Sequence, residues 1–204
     1  MLEAQDVAAQ RGAALLFSGL SFALQPGTVL FVTGPNGSGK TTLLRIAAGL
    51  TQPAGGRLRW GGAEVDAFDP ALRAATLFIG HAAALKEELT AEENLASLVE
   101  LHGVKVEAME LTGALSDWAL SRQRSLPARV LSEGQRRRVG LARLRLVQRP
   151  LWVLDEPTTA LDAAGVEALQ ELMAAHLAHG GMALIATHRD LAVPVGASRS
   201  LSLG

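Results

Sequence analysis

The sequence predicts an α/β fold, in which short apolar strands alternate with helices. Three observations carry that reading. Residues 28–33 form an apolar, β-branched run, residues 42–50 have helical spacing, and the glycine-rich stretch Gly34-Pro35-Asn36-Gly37-Ser38-Gly39-Lys40-Thr41 joins them. Two further apolar runs of strand length, residues 151–154 and 182–186, each end in polar side chains: Asp155-Glu156 and Thr187-His188. Between and around these runs, residues 90–130 and 163–178 carry apolar residues at helix spacing.

At 204 residues with 49 % hydrophobic content, the chain suits one domain with room for an inserted subdomain. A net charge of −1 gives no electrostatic case for nucleic-acid binding. The absence of cysteine excludes disulfides, thiolate metal sites and thiol redox chemistry. The start, Met1-Leu2-Glu3-Ala4-Gln5-Asp6, lacks the basic and apolar regions of a signal peptide, and no apolar run reaches membrane-spanning length.

Taken in order, residues 1–33 read as strands, with Leu15-Leu16-Phe17 and Leu20-Ser21-Phe22-Ala23-Leu24 as separate runs and Pro26-Gly27 as a turn. The loop at 34–41 fits G-x-x-x-x-G-K-[ST]. Its glycines allow successive N–H groups to form an anion nest, and Lys40 supplies a point charge for the β- and γ-phosphates. The Thr41 hydroxyl suits Mg²⁺, and Thr42 opens a helix whose N-terminus faces the phosphates of ATP. Arg57-Leu58-Arg59-Trp60 and Gly61-Gly62 read as a strand and tight turn. Residues 75–81 form a strand ending in His81. Thr90 and Glu93 form a capping box that opens a mostly helical region, with Gly103 and Gly113 as punctuation and Leu95, Leu98, Leu101 and Trp118 as core. Ser132 caps another helix. Asp155 suits a metal role and Glu156 a general-base role. His102, His176 and His179, on or near helix ends, are expected to face solvent. Residues 198–203 read as a closing strand.

The β-rich start, the phosphate loop, Leu131-Ser132-Glu133-Gly134-Gln135, the strand ending Asp155-Glu156, Ala160-Leu161-Asp162 and the late His188 resemble, in type and order, the motifs of ATP-binding cassette (ABC) ATPases. The resemblance implies a P-loop NTPase with a RecA-like core, an N-terminal antiparallel β layer and an inserted α-helical subdomain. One nucleotide-binding domain would then fill the chain, with residues 1–86 and 150–204 as β layer plus core and about 87–149 as the helical subdomain. It also implies that Leu131, Ser132, Glu133, Gly134 and Gln135 form the signature that meets the γ-phosphate held by a second copy, giving an ATP-dependent homodimer. Glu133 departs from the family's usual glycine. Asp162 would lie in the D-loop, His188 would contact the γ-phosphate, and Mg²⁺ would be held by Thr41, Asp155 and His81. His81 stands where the family has a glutamine, and a histidine can ligate a metal only when neutral, so acid is expected to impair hydrolysis. No aromatic stands at Gln10-Arg11-Gly12, where the family stacks adenine; Arg11 reads equally as a stacking guanidinium or a solvated loop residue.

Residues 16–22, 79–95 and 126–132 are further similar to the haem-exporter ATPase family of cytochrome c maturation (CcmA). That likeness implies integral membrane partners (CcmB- and CcmC-like), no direct contact with haem, and a cytoplasmic position on the inner face of the cell membrane. The function implied is ATP hydrolysis that powers haem export or release of a haem-loaded chaperone. The alternatives are an ABC transporter ATPase for another substrate and a soluble ABC ATPase of iron–sulfur cluster assembly. In the transporter reading, residues 81–94 line a groove for a partner helix, and Ala82-Ala83-Ala84-Leu85 reads equally as that docking surface or as an ordinary buried turn.

Overall fold

Leu2 and Ala4, then Val7 and Ala9, are the buried residues of the first strand, β1 (Leu2–Arg11), so its inward phase shifts by one residue between them. The cause is a bulge at Asp6, which adopts φ 51° while its N–H donates to Ser21 Oγ at 2.9 Å. One extra residue there keeps both halves of the strand facing the core. In this computed structural model, which describes residues 1–188, 191–193 and 198–204, β1 pairs with β2 (Ala14–Leu24) and β4 (Gly55–Trp60). With β5 (Ala63–Val65) they form an antiparallel sheet in the order β2-β1-β4-β5. The two runs expected at 15–17 and 20–24 are thus one strand, continuous through Gly19.

A second sheet has the order β6 (Thr76–Ile79), β7 (Leu151–Asp155), β8 (Met182–Ala186), β3 (Val29–Thr33), β9 (Ser198–Ser202). The pairs β7–β8, β8–β3 and β3–β9 are parallel. Every residue of β7 and β8 is buried, which is why both runs are apolar without alternation. Parallel register brings the carboxyl ends of β3, β7 and β8 to one edge, the place where open α/β sheets bind ligands. Helix α1 (Lys40–Ala47) packs on β7 and β8, with Leu43, Leu44 and Ile46 fully buried. Each such side chain contributes about 2 kcal/mol of burial.

Apart from Ile79, the last residue of β6, these strands and α1 belong to one unit, built from Met1–Phe78, Arg149–Glu156 and Met173–Gly204. It also holds α2 (Pro70–Ala75), which the sequence reading missed although Asp69 caps it and Pro70 opens it.

The other unit comprises Ile79–Gln148 and Pro157–Leu172. Its helices α3 (Ala91–Glu100), α4 (Ala108–Asp117) and α5 (Glu133–Leu146) pack on one another around Leu95, Leu115, Trp118 and Val139. The capping box of α3 forms as expected: Thr90 N–H donates to Glu93 Oε2 at 2.8 Å and Glu93 N–H to Thr90 Oγ1 at 3.2 Å. The Thr90 N–H first, and second the Thr90 hydroxyl, which donates to the same Glu93 oxygen at 2.8 Å, hold the Glu93 carboxyl below the usual range. Gly113 lies inside α4 rather than at a break; one glycine costs a helix about 1 kcal/mol, which packing readily offsets. Helix α6 (Ala163–Ala178) begins in this unit and ends in the first.

Candidate functional site

The phosphate loop spans from the end of β3 to the start of α1. Lys40 is largely buried, and its Nζ donates to the Gly34 carbonyl at 2.7 Å and the Pro35 carbonyl at 3.1 Å, so the ammonium lies across its own loop. Gly34 (φ 140°) is required by space as well as conformation: a Cβ there would fall 2.3 Å from the Leu203 carbonyl oxygen and 2.9 Å from Ser38 Oγ. Ser38 Oγ is buried and finds no hydrogen-bond partner among the described residues. Gly39, the N-cap of α1, offers no side chain to the first-turn N–H groups, and no acidic residue stands in that turn. A lysine, open N–H groups and an orphaned hydroxyl make a concavity suited to phosphate oxygens.

Thr41 Oγ1 donates to Asp155 Oδ2 at 2.8 Å, across 114 residues of sequence. Asp155 is 3 % exposed at the carboxyl end of β7. A hydroxyl and a carboxylate oxygen so close, beside a phosphate loop, are the hard oxygen donors that Mg²⁺ prefers, so the residues present fit that ion. Glu156 follows with φ 48°, and its N–H donates to the Ala186 carbonyl at 2.9 Å. Its Oε1 lies 3.3 Å from Nε2 of His188, which extends beyond β8. Four of the residues singled out in the sequence are therefore brought together in two pairs.

In the helical unit, Ser132 caps α5 through a reciprocal box: Gln135 N–H donates to Ser132 Oγ at 3.2 Å and Ser132 N–H to Gln135 Oε1 at 2.9 Å. Glu133 is exposed in the first turn. Gly134 faces the Ala160 carbonyl, whose oxygen would lie 2.5 Å from an added Cβ. A contact within the same chain thus requires a glycine at this position. Asp162 Oδ1 accepts from the Gly165 N–H at 2.9 Å and from Arg138, and these bonds hold its carboxyl below the usual range. Arg138 also donates to the Trp118 carbonyl at 3.2 Å.

His81 is exposed, and its carbonyl accepts from Arg137 Nη1 at 3.0 Å. Ala83 is half-buried, at 3.6 Å from where a Cβ on Gly140 would stand, while Ala82 and Ala84 are exposed. Arg143 is buried close to Arg137; burial first, and the Arg137 charge second, lower it to about 10.

Arg11 is exposed at the end of β1. His176 departs from expectation. It does not face solvent but stacks on Trp152, centroids 3.8 Å apart and planes within 4°, with Nε2 3.1 Å from the Met182 carbonyl. The reason is a space left by Gly181, where a Cβ would sit 2.3 Å from the imidazole ring.

Sequence reading missed Arg137, Arg138, Asn94 and Phe17. Asn94, 3 % exposed, accepts from Lys86 N–H at 2.8 Å and donates to the carbonyls of Lys86, Leu89 and Thr90, so it fixes the segment before α3. Phe17 packs beside Gly39, its ring 3.0 Å from where a Cβ would stand. No signal short of the tertiary fold marks either residue, because each acts on backbone that is remote or reversed in direction.

Residues 17–159 match the ABC transporter family. The chain is 48 % identical over 197 residues to the cytochrome c biogenesis ATP-binding export protein CcmA of Aromatoleum aromaticum, covering 95 % of this chain and 92 % of that one. It is 43 % identical over the full length of both chains to CcmA of Dechloromonas aromatica. A Pyrococcus furiosus protein assigned as the ATP-binding protein of an ABC transporter superposes with a TM-score of 0.83 at 25 % identity, covering 98 % of this chain and 96 % of that one. A dimeric bacterial ABC transporter cassette superposes with a TM-score of 0.81 at 23 % identity, covering 99 % and 94 %.

Proposed function

We propose a function from one premise: the chain belongs to the ABC transporter family and, within it, to the cytochrome c biogenesis ATP-binding export proteins called CcmA. It is an ATPase whose hydrolysis is coupled to transport. We read its task as powering haem export, or release of a haem-loaded chaperone, in cytochrome c biogenesis. The observation that carries the catalytic part is the paired arrangement Thr41–Asp155 and Glu156–His188 at the carboxyl ends of the parallel strands.

In this reading Lys40 leaves the carbonyls of its own loop and turns to phosphate oxygens. Ser38 Oγ and the N–H groups opening α1 complete the cradle, with Gly34, Pro35, Asn36, Gly37, Gly39 and Thr42 as its backbone. Thr41 and Asp155 hold Mg²⁺, which when bound neutralises the charge on the transferring phosphoryl group. Glu156 accepts a proton at its carboxylate from the attacking water. His188 donates from Nε2, first to Glu156 and then to the γ-phosphate. His81 is assigned to the metal or to the water.

The partners are membrane subunits, and the working unit is a dimer in which the signature residues meet ATP held by the other copy. CcmB- and CcmC-like proteins are the membrane subunits we propose, which would hold the ATPase at the inner face of the cell membrane. None of the described helices is long and apolar enough to cross a membrane. The exposed Ala82 and Ala84 are the better candidates to face a docked helix, since Ala83 packs toward Gly140. The test is to replace the gene for this chain by its Glu156→Gln form in the source organism, and to assay ATP hydrolysis of the purified chain and covalent haem in periplasmic cytochromes c. Loss of both supports the reading. Normal cytochromes alongside abolished hydrolysis would move the chain to another substrate.

A further inference from the structure

Arg137 sits one turn into α5, 4 % exposed, and its guanidinium gathers three carbonyl oxygens from two distant segments. Nη1 donates to Gly80 at 2.7 Å and to His81 at 3.0 Å, and Nε donates to Pro157 at 3.3 Å. The first two carbonyls belong to the peptides leading into and out of His81. The third belongs to the residue that directly follows Glu156 in the chain. Helix α5 opens with the capped signature turn, so one side chain of that helix reaches both the histidine loop and the segment beyond the general base.

The contact face is organised for this. Gly140 lies one turn further along α5 on the same side, and a Cβ there would meet Ala83 at 3.6 Å, ordinary van der Waals contact. The helix therefore rests on residues 80–83 through a small residue and a forked donor. A fork suits the task, because its N–H groups diverge at fixed angles and can bridge two segments at once. A lysine ammonium is a single point and cannot span both with the same geometry. Arg143 is also buried nearby, so the site keeps Arg137 in spite of like-charge repulsion.

We propose that Arg137 is a positioning residue for ATP hydrolysis: it locks the backbone of His81 and of Pro157 to the signature helix, so that the groups on those segments align together. The proposal rests on the ATPase reading given above. A positioning role predicts a loss in turnover with nucleotide binding intact, because the bonds of Arg137 to residues 80, 81 and 157 go to backbone carbonyls and leave the side chains of those segments free to act. Misplacement of reacting groups by about 1 Å can cost up to about a hundredfold in rate.

The experiment uses the full chain with Arg137→Lys and Arg137→Ala, each assayed for kcat, KM for ATP and thermal midpoint, without and with added methylguanidinium. The expected result is a kcat lowered roughly tenfold or more in Arg137→Ala and less in Arg137→Lys. KM should stay within about twofold of wild type, and methylguanidinium should restore part of the Arg137→Ala turnover. The Lys variant keeps the test decisive if the Ala variant fails to fold. Wild-type kcat in the folded variants would overturn the proposal. So would a loss that follows the thermal midpoint, or KM, and is not rescued. An absence of hydrolysis in the wild-type chain would instead overturn the ATPase reading, and this role with it.

Discussion

Glu156 Oε1 and His188 Nε2 lie 3.3 Å apart, joining the end of β7 to the residue just beyond β8. The glutamate side chain is 17 % exposed and the histidine 50 %, so water reaches the pair from the histidine side. A carboxylate oriented by an imidazole is well placed to take a proton from water. Glu156→Gln keeps the shape and removes the base, and turnover is expected to fall by at least about 100-fold while ATP still binds. ATP should then hold two copies together, and light scattering that finds only monomer at saturating ATP would count against the sandwich arrangement. His188→Ala is expected to lower kcat as well, with a smaller effect on KM.

Thr41 and Asp155 already share a hydrogen bond of 2.8 Å, so neither oxygen has far to move to become a metal ligand. Chelating divalent cations is expected to abolish hydrolysis, and added Mg²⁺ to restore it. Asp155→Asn leaves a buried amide whose single oxygen carries no charge, and should raise the Mg²⁺ concentration needed for half-maximal rate by roughly tenfold or more. Titrating Mg²⁺ at fixed ATP measures it; an unchanged half-saturation point would remove Asp155 from the metal site.

Gly134 is held by a steric limit inside the chain, because any Cβ would come within 2.5 Å of the Ala160 carbonyl oxygen. Gly134→Ala must therefore push α5 and the 160–162 segment apart. Nucleotide binding at Lys40 in a single copy does not depend on that contact. The expected outcome is ATP affinity near wild type in equilibrium binding, together with loss of ATP-dependent dimerisation and of most turnover. Full activity in this variant would mean that the segment yields without consequence.

The parallel core was legible because its signals are local. A glycine loop between an apolar run and a helix, and strands ending in Asp155-Glu156 and His188, each announce themselves within ten residues. The capping box at Thr90 and the cap at Ser132 were legible for the same reason. What was not legible depends on backbone met from a distance. Arg137 reads as one of three surface arginines in Arg136-Arg137-Arg138, yet it is buried because carbonyls from residues 80, 81 and 157 surround it. Asn94 reads as a polar helix residue, yet it binds four backbone groups of residues 86–90. The join of the two runs in β2 was hidden by Gly19, whose positive φ of 67° lets a strand continue through a residue that usually marks a turn.

His176 gives the pH prediction. Its ring is stacked on Trp152 at 3.8 Å, and burial lowers its pKa, an effect the hydrogen bond to the Met182 carbonyl only partly opposes. In the unfolded chain the same group titrates near its ordinary value of about 6.5. Between the folded and unfolded values the unfolded state binds more protons, so stability rises with pH across that window. The contribution of His176 is therefore full above about pH 6.5, is lost progressively as the pH falls below it, and changes no further once the pH is below the folded value. The carboxyls of Glu93 and Asp162, also held below their usual range, lose their contributions only at lower pH, below the ordinary carboxylate values near 4. The two effects are thus separable. His176→Phe keeps a flat ring over Gly181 and against Trp152 but cannot titrate. Thermal midpoints of both proteins measured from pH 7.5 to pH 5 should show the wild type falling more steeply than the variant between about pH 6.5 and pH 5. Parallel curves would mean that the His176 ring is protonated as easily in the folded chain as in the unfolded one, and that the stack on Trp152 opens to admit water.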